Sequence, residues 1–576
     1  MPKFNSISTF TLLFLFEGVS SLNAGSLLTL IPCDFGDSSL VAYLPDGTLR
    51  SSDGRQCATF VGASPAQLVM QPCKLGANQT WIYNAIKSTI EQTTGALCLN
   101  SQGDTSTPQR PISTWPCTDL NWNSYFWVRS DGKIQANCSE PSSCGSSAPA
   151  YCVGSRLGRT LTLATVVRYW TVETTRSEHL LDNESSIHTV ENCKAYRNAV
   201  TAGWPQATIT WAFSWVALHA SDGEYPAIRE LVASYVTTYG DEMTFIPGGY
   251  FAPMYNNQTQ TNEDIHDALA VIAGVVGKGY RPKAILAGYL GAQTLSYLSS
   301  VEDIHVAQAT IFSQYNIDFG DGDGGSPYPY YPSTQHYLKP AQGAGDLVDV
   351  VSMDGWTVDF MNARRNGFAE GFNSRMGVGP IETIRNLGPA RGFAEQMHAT
   401  SQHFDTGYLL NGEAFVTSIW EISLMPAINS SYLTQWLASV KAQWPDAQAM
   451  THGDFGLQWR AQHASNDYNF SWVVIGSGIA GSDADKELTL FTNKAFRLAL
   501  LRSLSDPGVG LVIDFTRYDL PAAEPPAGIL TRSWNLMNEI NWKQDRKGGV
   551  DAPRALKALS QEDQTIIYAV LPGLRP

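Results

Sequence analysis

Nowhere in the 576 residues is there an unbroken apolar run of roughly eighteen, so the chain has no material for a membrane-spanning helix. Charge is sparse at 16% of residues, and basic charge sparser, with 38 Lys and Arg against 53 Asp and Glu for a net of −15. Binding to a phosphate backbone needs clustered cations, so nucleic acid is excluded as a partner. No GxGxxG or GxxxxGK[ST] fingerprint follows the early strand-like runs, which removes dinucleotide and P-loop chemistry. The ten histidines do not gather. His179 and His188 stand apart with no HExxH, and His398 and His403 fall in a helical region, so no metal site is expected. Ser-His-Asp catalysis lacks its GxSxG elbow, since Gly476-Ser477-Gly478 has the wrong flanks.

What is present begins with an export signature. Lys3 precedes the apolar run Phe10 to Phe16 and small residues lead to Leu22-Asn23-Ala24, so residues 1–24 read as a signal peptide and the protein is expected to be secreted. Asn-x-Ser/Thr sequons begin at Asn78, Asn137, Asn183, Asn257, Asn429 and Asn469. Sixteen Trp and twenty-four Tyr supply flat faces of the kind that stack on sugar rings, although many of them must be core.

Residues 25–155 repeat themselves. Ile31-Pro32-Cys33, Gln71-Pro72-Cys73 and Trp115-Pro116-Cys117 each end a strand-like run, with spacings of 40 and then 44 residues between the cysteines. Cys57, Cys98 and then Cys138 or Cys152 run in step with them. Gln79-Thr80-Trp81, Tyr125-Phe126-Trp127 and Ser39-Leu40-Val41 hold equivalent places, and Asp46-Gly47 and Asp131-Gly132 mark the next turns. Short repeats of this kind cannot bury a core singly and must pack together. The segment resembles the ricin-type β-trefoil, a carbohydrate-binding module with QTW as a signature. That resemblance implies a core role for Gln79 and Trp81, and disulfides Cys57–Cys73, Cys98–Cys117, Cys33–Cys152 and Cys138–Cys144. Cys193 is left as a buried thiol, and the pairing fits an oxidising compartment.

After Gly154 the texture changes to alternating strands and helices. Strands are expected at 160–173, 207–218, 243–252, 283–289, 304–312 and 347–354. Helices are expected at 184–203, 224–239 with Ile228, Leu231, Val232 and Tyr235 on one face, from 262 with a Thr261/Asp264 capping box, and at 291–302. Such alternation demands parallel strands with crossovers. The fold class is therefore multidomain: an all-β trefoil, a (β/α) barrel over 156–475, and a small β-rich appendage over 476–576.

In a parallel barrel the loops after the strands converge on one mouth. Glu173, Asp318, Asp321, Asp323, Asp354 and Glu413 all follow apparent strands or helices near aromatics and glycines. Glycosidic cleavage needs one carboxylic acid to protonate the leaving oxygen and a second carboxylate to attack or to activate water. We expect Asp318 and Asp354 to form that pair, with Glu173 and Glu413 in reserve and Asp321, Asp323, Trp356, Tyr330 and Tyr331 shaping the sugar subsites. The alternatives are a solvated acidic turn, or a calcium loop through Asp321 and Asp323, and otherwise no cofactor. Asp354 reads equally as a turn residue, and Glu173 as a strand-end salt bridge.

The runs YGDEMTFIPGGYF, SQYNIDFGDGDGG, YPYYPS and DGWTVDF, between Trp170 and Arg364, resemble a little-characterised family of secreted proteins grouped with carbohydrate-active enzymes. The GDEMTF run is similar to the irregular barrels shared by polysaccharide deacetylases and some α-glycosidases. In deacetylases that strand supplies metal-binding histidines, whereas Asp241 to Pro247 has none and no TFDDG-like pair opens the domain. The resulting expectation is a secreted, monomeric glycoside hydrolase acting on a polysaccharide or other glycan held by a lectin module. Carbohydrate esterase or deacetylase activity, and a lectin with an inert barrel, stand as the alternatives.

Overall fold

The computed structural model describes residues 28–32, 41–44, 46–51, 56–60, 68–74, 76–84, 87, 89–93, 96–101, 112–118, 124–128, 133–136, 151–155, 158–277, 279–312, 323–357, 359–361, 379–479, 482–506, 508–529, 534–536, 540–541 and 552–575. They fall into two compact units that divide between Ser155 and Arg156.

The first unit is three four-stranded antiparallel sheets, as the repeat requires. The first strand, Leu28–Pro32, pairs with the last, Tyr151–Ser155, and so closes the set. Each sheet sends its apolar positions inward, where Leu28, Val41, Leu49, Leu68, Trp81, Ile90, Leu99, Ile112, Phe126 and Ile134 make one core. Gln79 is buried there with Trp81. Its amide donates to Thr59 Oγ1 at 2.8 Å and to the Pro72 carbonyl at 3.0 Å, while its own carbonyl accepts the Lys74 N–H at 2.7 Å. A buried amide satisfied on both ends locks two strands and a loop together. Disulfides Cys57–Cys73 and Cys98–Cys117 form as the resemblance implied. The Cys33–Cys152 and Cys138–Cys144 pairings lie outside the described side chains.

The second unit is built on a parallel barrel. Its strands are β1 (Arg159–Val167), β2 (Thr210–Phe213), β3 (Glu242–Phe245), β4 (Ala284–Leu286), β5 (Val306–Thr310), β6 (Val351–Asp354) and β7 (Ala414–Ile419). Hydrogen bonds order them β3-β2-β1-β7 and β4-β5-β6. The two arcs join where Thr244 Oγ1 donates to the Ala284 carbonyl, and where the Thr357 N–H donates to the Thr417 carbonyl at 2.9 Å. A short eighth strand, β8 (Gln448–Met450), pairs with Thr160–Thr162 on the edge of β1 that β2 occupies from Ala164 onward. Nearly every strand residue is buried, as expected when both faces of a sheet are covered. Cys193 is a free thiol in that core, with burial pushing its pKa up to about 12.

Several boundaries differ from expectation for local reasons. The expected strand 160–173 is two elements, because β1 stops at Val167 and Trp170–Glu173 hairpins with His179–Asn183. Strand 207–218 ends at Phe213, where Ser214 caps a short helix, Trp215–His219, by accepting the Ala217 N–H. Helix Gln258–Val276 starts before 262 because Asn257, rather than Thr261, is its cap, accepting the Gln260 N–H at 2.9 Å. The appendage starts at Asn469, ahead of 476. Strands Asn469–Ile475, Lys486–Asn493, Phe496–Ser503 and Leu511–Arg517 form its antiparallel sheet. One cluster of that sheet packs with Phe312, Tyr328 and Phe360, and another with helix Gln561–Val570, so the sheet is continuous with the second unit.

Candidate active site

The barrel mouth is assembled from the segments at the carboxyl ends of the strands. Arg168 directly succeeds β1 and Glu421 lies two residues past β7, and because Ala164 pairs with Ile419 the two arrive side by side. Arg168 donates to Glu421 Oε2 at 2.7 Å and, through Nε and Nη2, to both oxygens of Glu184 at 2.7 and 3.0 Å. His188 Nε2 lies 3.2 Å from Glu184 Oε2. Burial alone would lower the Arg168 pKa, but Glu421 and Glu184 outweigh it and raise it. Burial likewise opposes ionisation of Glu184, yet His188 and Arg168 hold its carboxyl down at about 2. The His188 imidazole is pushed below its ordinary value by burial, against the pull of Glu184.

Beside this network, the loop after β3 has an unusual backbone. Gly248, Gly249 and Tyr250 have φ of 51°, 55° and 76°. A Cβ on Gly249 would meet Val172 Cγ1 at 2.7 Å, so the left-handed geometry and the close approach both require glycine there. Tyr250 is a non-glycine residue held in that region, a strain that persists only where surroundings over-determine it. Its ring centroid lies 6.1 Å from that of Trp356, which is half-buried.

Asp354 ends β6 at the same mouth. It is buried, and its Oδ1 accepts the Phe312 N–H at 2.9 Å and the Gly355 N–H at 2.8 Å. Burial pushes its carboxyl up to about 7 in spite of the amides of Phe312, Gly355 and Trp356. Phe312 is the last described residue before Asp323. Asp318 and Asp321 lie outside the described residues.

Glu173, Glu413, Asp323, Tyr330 and Tyr331, also expected at the site, are buried and engaged by protein partners. Glu173 is a brace: it accepts from Tyr169 N at 2.9 Å, Trp170 N at 3.2 Å, Ser214 Oγ at 2.7 Å and Val216 N at 2.9 Å, which occupies both oxygens. Glu413 precedes β7, at the end of the barrel away from the mouth, where it is buried 3.3 Å from His463 Nε2. Asp323 is buried 3.4 Å from Arg497, which also grips Asp514 at 3.0 Å. Tyr330 and Tyr331 are core residues, their hydroxyls donating to the carbonyls of Tyr337 at 2.7 Å and His463 at 2.6 Å. Trp356 does face the mouth. Sequence reasoning missed Arg168, Tyr250 and Glu421; the signal for Glu421 was the run Ala414 to Ile419 ending in Trp420-Glu421.

Comparison with known proteins fits this architecture. The ricin-type β-trefoil lectin model matches residues 18–119 and 46–148. The domain of unknown function DUF3863 matches residues 153–492, and DUF3864 matches 497–574. A solved structure of a candidate glycoside hydrolase/deacetylase from Parabacteroides distasonis is 40% identical, with a TM-score of 0.69, over 73% of this chain and 98% of its own. A candidate polysaccharide deacetylase from Pseudomonas aeruginosa PAO1 is 15% identical over 53% of this chain and 92% of its own, and a 4-alpha-glucanotransferase from Thermococcus litoralis is 10% identical over 52% and 40%. Both have TM-scores of 0.32. No curated protein matches the sequence. The chain thus belongs to the DUF3863 family, carrying a ricin-type lectin domain ahead of a domain similar to a glycoside hydrolase/deacetylase.

Proposed function

We propose that the protein is a secreted glycoside hydrolase that cuts a polysaccharide or other glycan retained by its trefoil. The observation that carries this reading is Asp354, a buried acid at the end of β6 in the barrel mouth whose carboxyl burial pushes up to about 7. A general acid does best with a pKa near the working pH, and burial is the usual means of raising a carboxyl that far. Asp354 protonates the leaving glycosidic oxygen. The second carboxylate is Asp318, which stands six residues after Phe312 in the sequence; the Phe312 N–H donates to Asp354. Asp321 helps shape the subsites. Trp356 and Tyr250 give the sugar an aromatic wall, and the Arg168–Glu421 pair fixes the adjacent rim.

The test is incubation of the full-length protein with a panel of microbial and plant polysaccharides, reading new reducing ends alongside released acetate. Reducing ends that vanish in both Asp354→Asn and Asp318→Asn support the reading. Acetate without reducing ends selects deacetylation, which the name of the 40% identical relative also includes. Parental rates in both variants refute the residue assignment.

A further inference from the structure

A concavity opens on the mouth side of the barrel, and its lining does not include Asp354. It holds about 330 Å³ between the segments that succeed β3 and β4 and the arm Ala522–Ala527. That volume is at the small end of the roughly 300–1,000 Å³ typical of ligand sites. Its polar lining is amide and hydroxyl: Gln258, Thr261, Gln293, Thr294 and Gln335. Thr261 and Thr294 are buried at its floor, while Gln293 and Gln335 are exposed at its edge. Among the described residues, Glu524 is the sole ionisable group in the lining, and no Lys or Arg accompanies it. Its carboxylate is held by the Ala292 N–H at 2.8 Å and the Tyr337 N–H at 2.7 Å. The apolar wall includes Pro525, Pro526 and Trp534.

The pocket is tied to the catalytic mouth by a row of rings. Trp356 neighbours Tyr250 at 6.1 Å, Tyr250 neighbours Phe251 at 6.4 Å, Phe251 neighbours Tyr289 at 5.0 Å, and Tyr289 stacks on Trp534 at 5.9 Å. Close-packed aromatics of this kind hold the two sites at a fixed spacing.

We propose that this pocket is a remote subsite for an uncharged sugar residue, a neutral hexose or N-acetylhexosamine, of the glycan whose linkage is cut beside Asp354. Amides and hydroxyls match sugar hydroxyls, the proline and indole wall matches the apolar ring face, and the described lining offers no Lys or Arg to pair with a uronic acid. The ligand class rests on the hydrolase reading, but the pocket can be tested without it.

The experiment uses full-length Asp354→Asn protein, so that no turnover intrudes, and follows backbone hydrogen exchange with cellotriose, triacetylchitotriose and trigalacturonate in turn. With a neutral probe at ~10 times its Kd, exchange in peptides spanning 289–296 and 520–527 slows by about tenfold. Gln293→Leu with Thr294→Val abolishes the slowing while exchange elsewhere is unchanged; Gln293→Leu alone, at an exposed position, serves if the pair misfolds. Slowing confined to residues 28–155 with both neutral probes, or equal slowing with trigalacturonate, overturns the proposal. Slowing at the pocket in a protein that yields no reducing ends from any polysaccharide keeps the subsite and discards the hydrolase.

Discussion

Arg168 donates to Glu421 at 2.7 Å across the seam between β1 and β7, and with its other contacts binds both carboxylate oxygens of Glu184. All three side chains are buried. Removing one member of such a group leaves an uncompensated charge, which is costlier than the pair is stabilising.

Glu184→Gln should therefore lower unfolding stability by about 3–5 kcal/mol at pH 7 in urea titrations of the second unit. The Glu184 carboxyl lies at about 2, below its ordinary 4.5. Its contribution is present above pH 4.5 and is lost as pH falls toward 2, so the parent and the variant should converge in acid. A gap that stays constant from pH 7 to pH 3 would contradict the ion-pair account.

Asp354 has the opposite sign. Burial raises its carboxyl from 3.8 to about 7, so the neutral form suits the fold and its ionisation costs stability as pH rises between those values. As a general acid it should also give kcat/KM a limb that falls as pH rises through about 7. A pH–rate profile flat across pH 6 to 8 would remove Asp354 from that role.

Asp323→Asn should act on stability and not on turnover. Arg497 would lose one of its two buried carboxylates, at a cost of about 1–3 kcal/mol. Thermal unfolding should register the loss, with kcat of the folded enzyme within twofold of the parent. A large fall in kcat with an unchanged Tm would restore Asp323 to the subsites.

In the trefoil, replacing Cys57 and Cys73 with Ala frees a loop with a sequence separation of 16. The loss should be about 3 kcal/mol, seen as a lower melting transition for the first unit. Retention on insoluble glycan should weaken, while cleavage of soluble oligosaccharides stays at the parental rate. Equal loss on both substrates would give the trefoil a different task.

The trefoil is legible because its repeat writes the same message three times, in Pro-Cys ends and QTW-type cores. The barrel is legible as a class, since alternating runs admit few topologies. Its individual acids are not. Glu413 stands out ahead of Glu421 because the short apolar run Tyr408–Asn411 resembles a strand end, whereas it is the last turn of a helix and the strand starts at Ala414. Arg168 is hidden inside RYWTVE, where no Gly or Pro marks the turn after Val167. Tyr330 and Tyr331 look like subsite rings because Pro and Gly surround them; their burial comes from contacts such as Tyr331 with Trp459, which lies far along the sequence.

The short strand β8 has a consequence for the whole vessel. Because it shares an edge of β1 with β2 and stops at Met450, the wall has eight staves at its foot and seven at its lip. The chain leaves it through His452, whose ring sits among Thr162, Thr210 and Thr417 at 3.4, 3.3 and 3.1 Å with its pKa pushed by burial down to about 3. Among the described residues the lip therefore takes its loops from seven strands, and this histidine, for all its chemical promise, is a rivet in the hull.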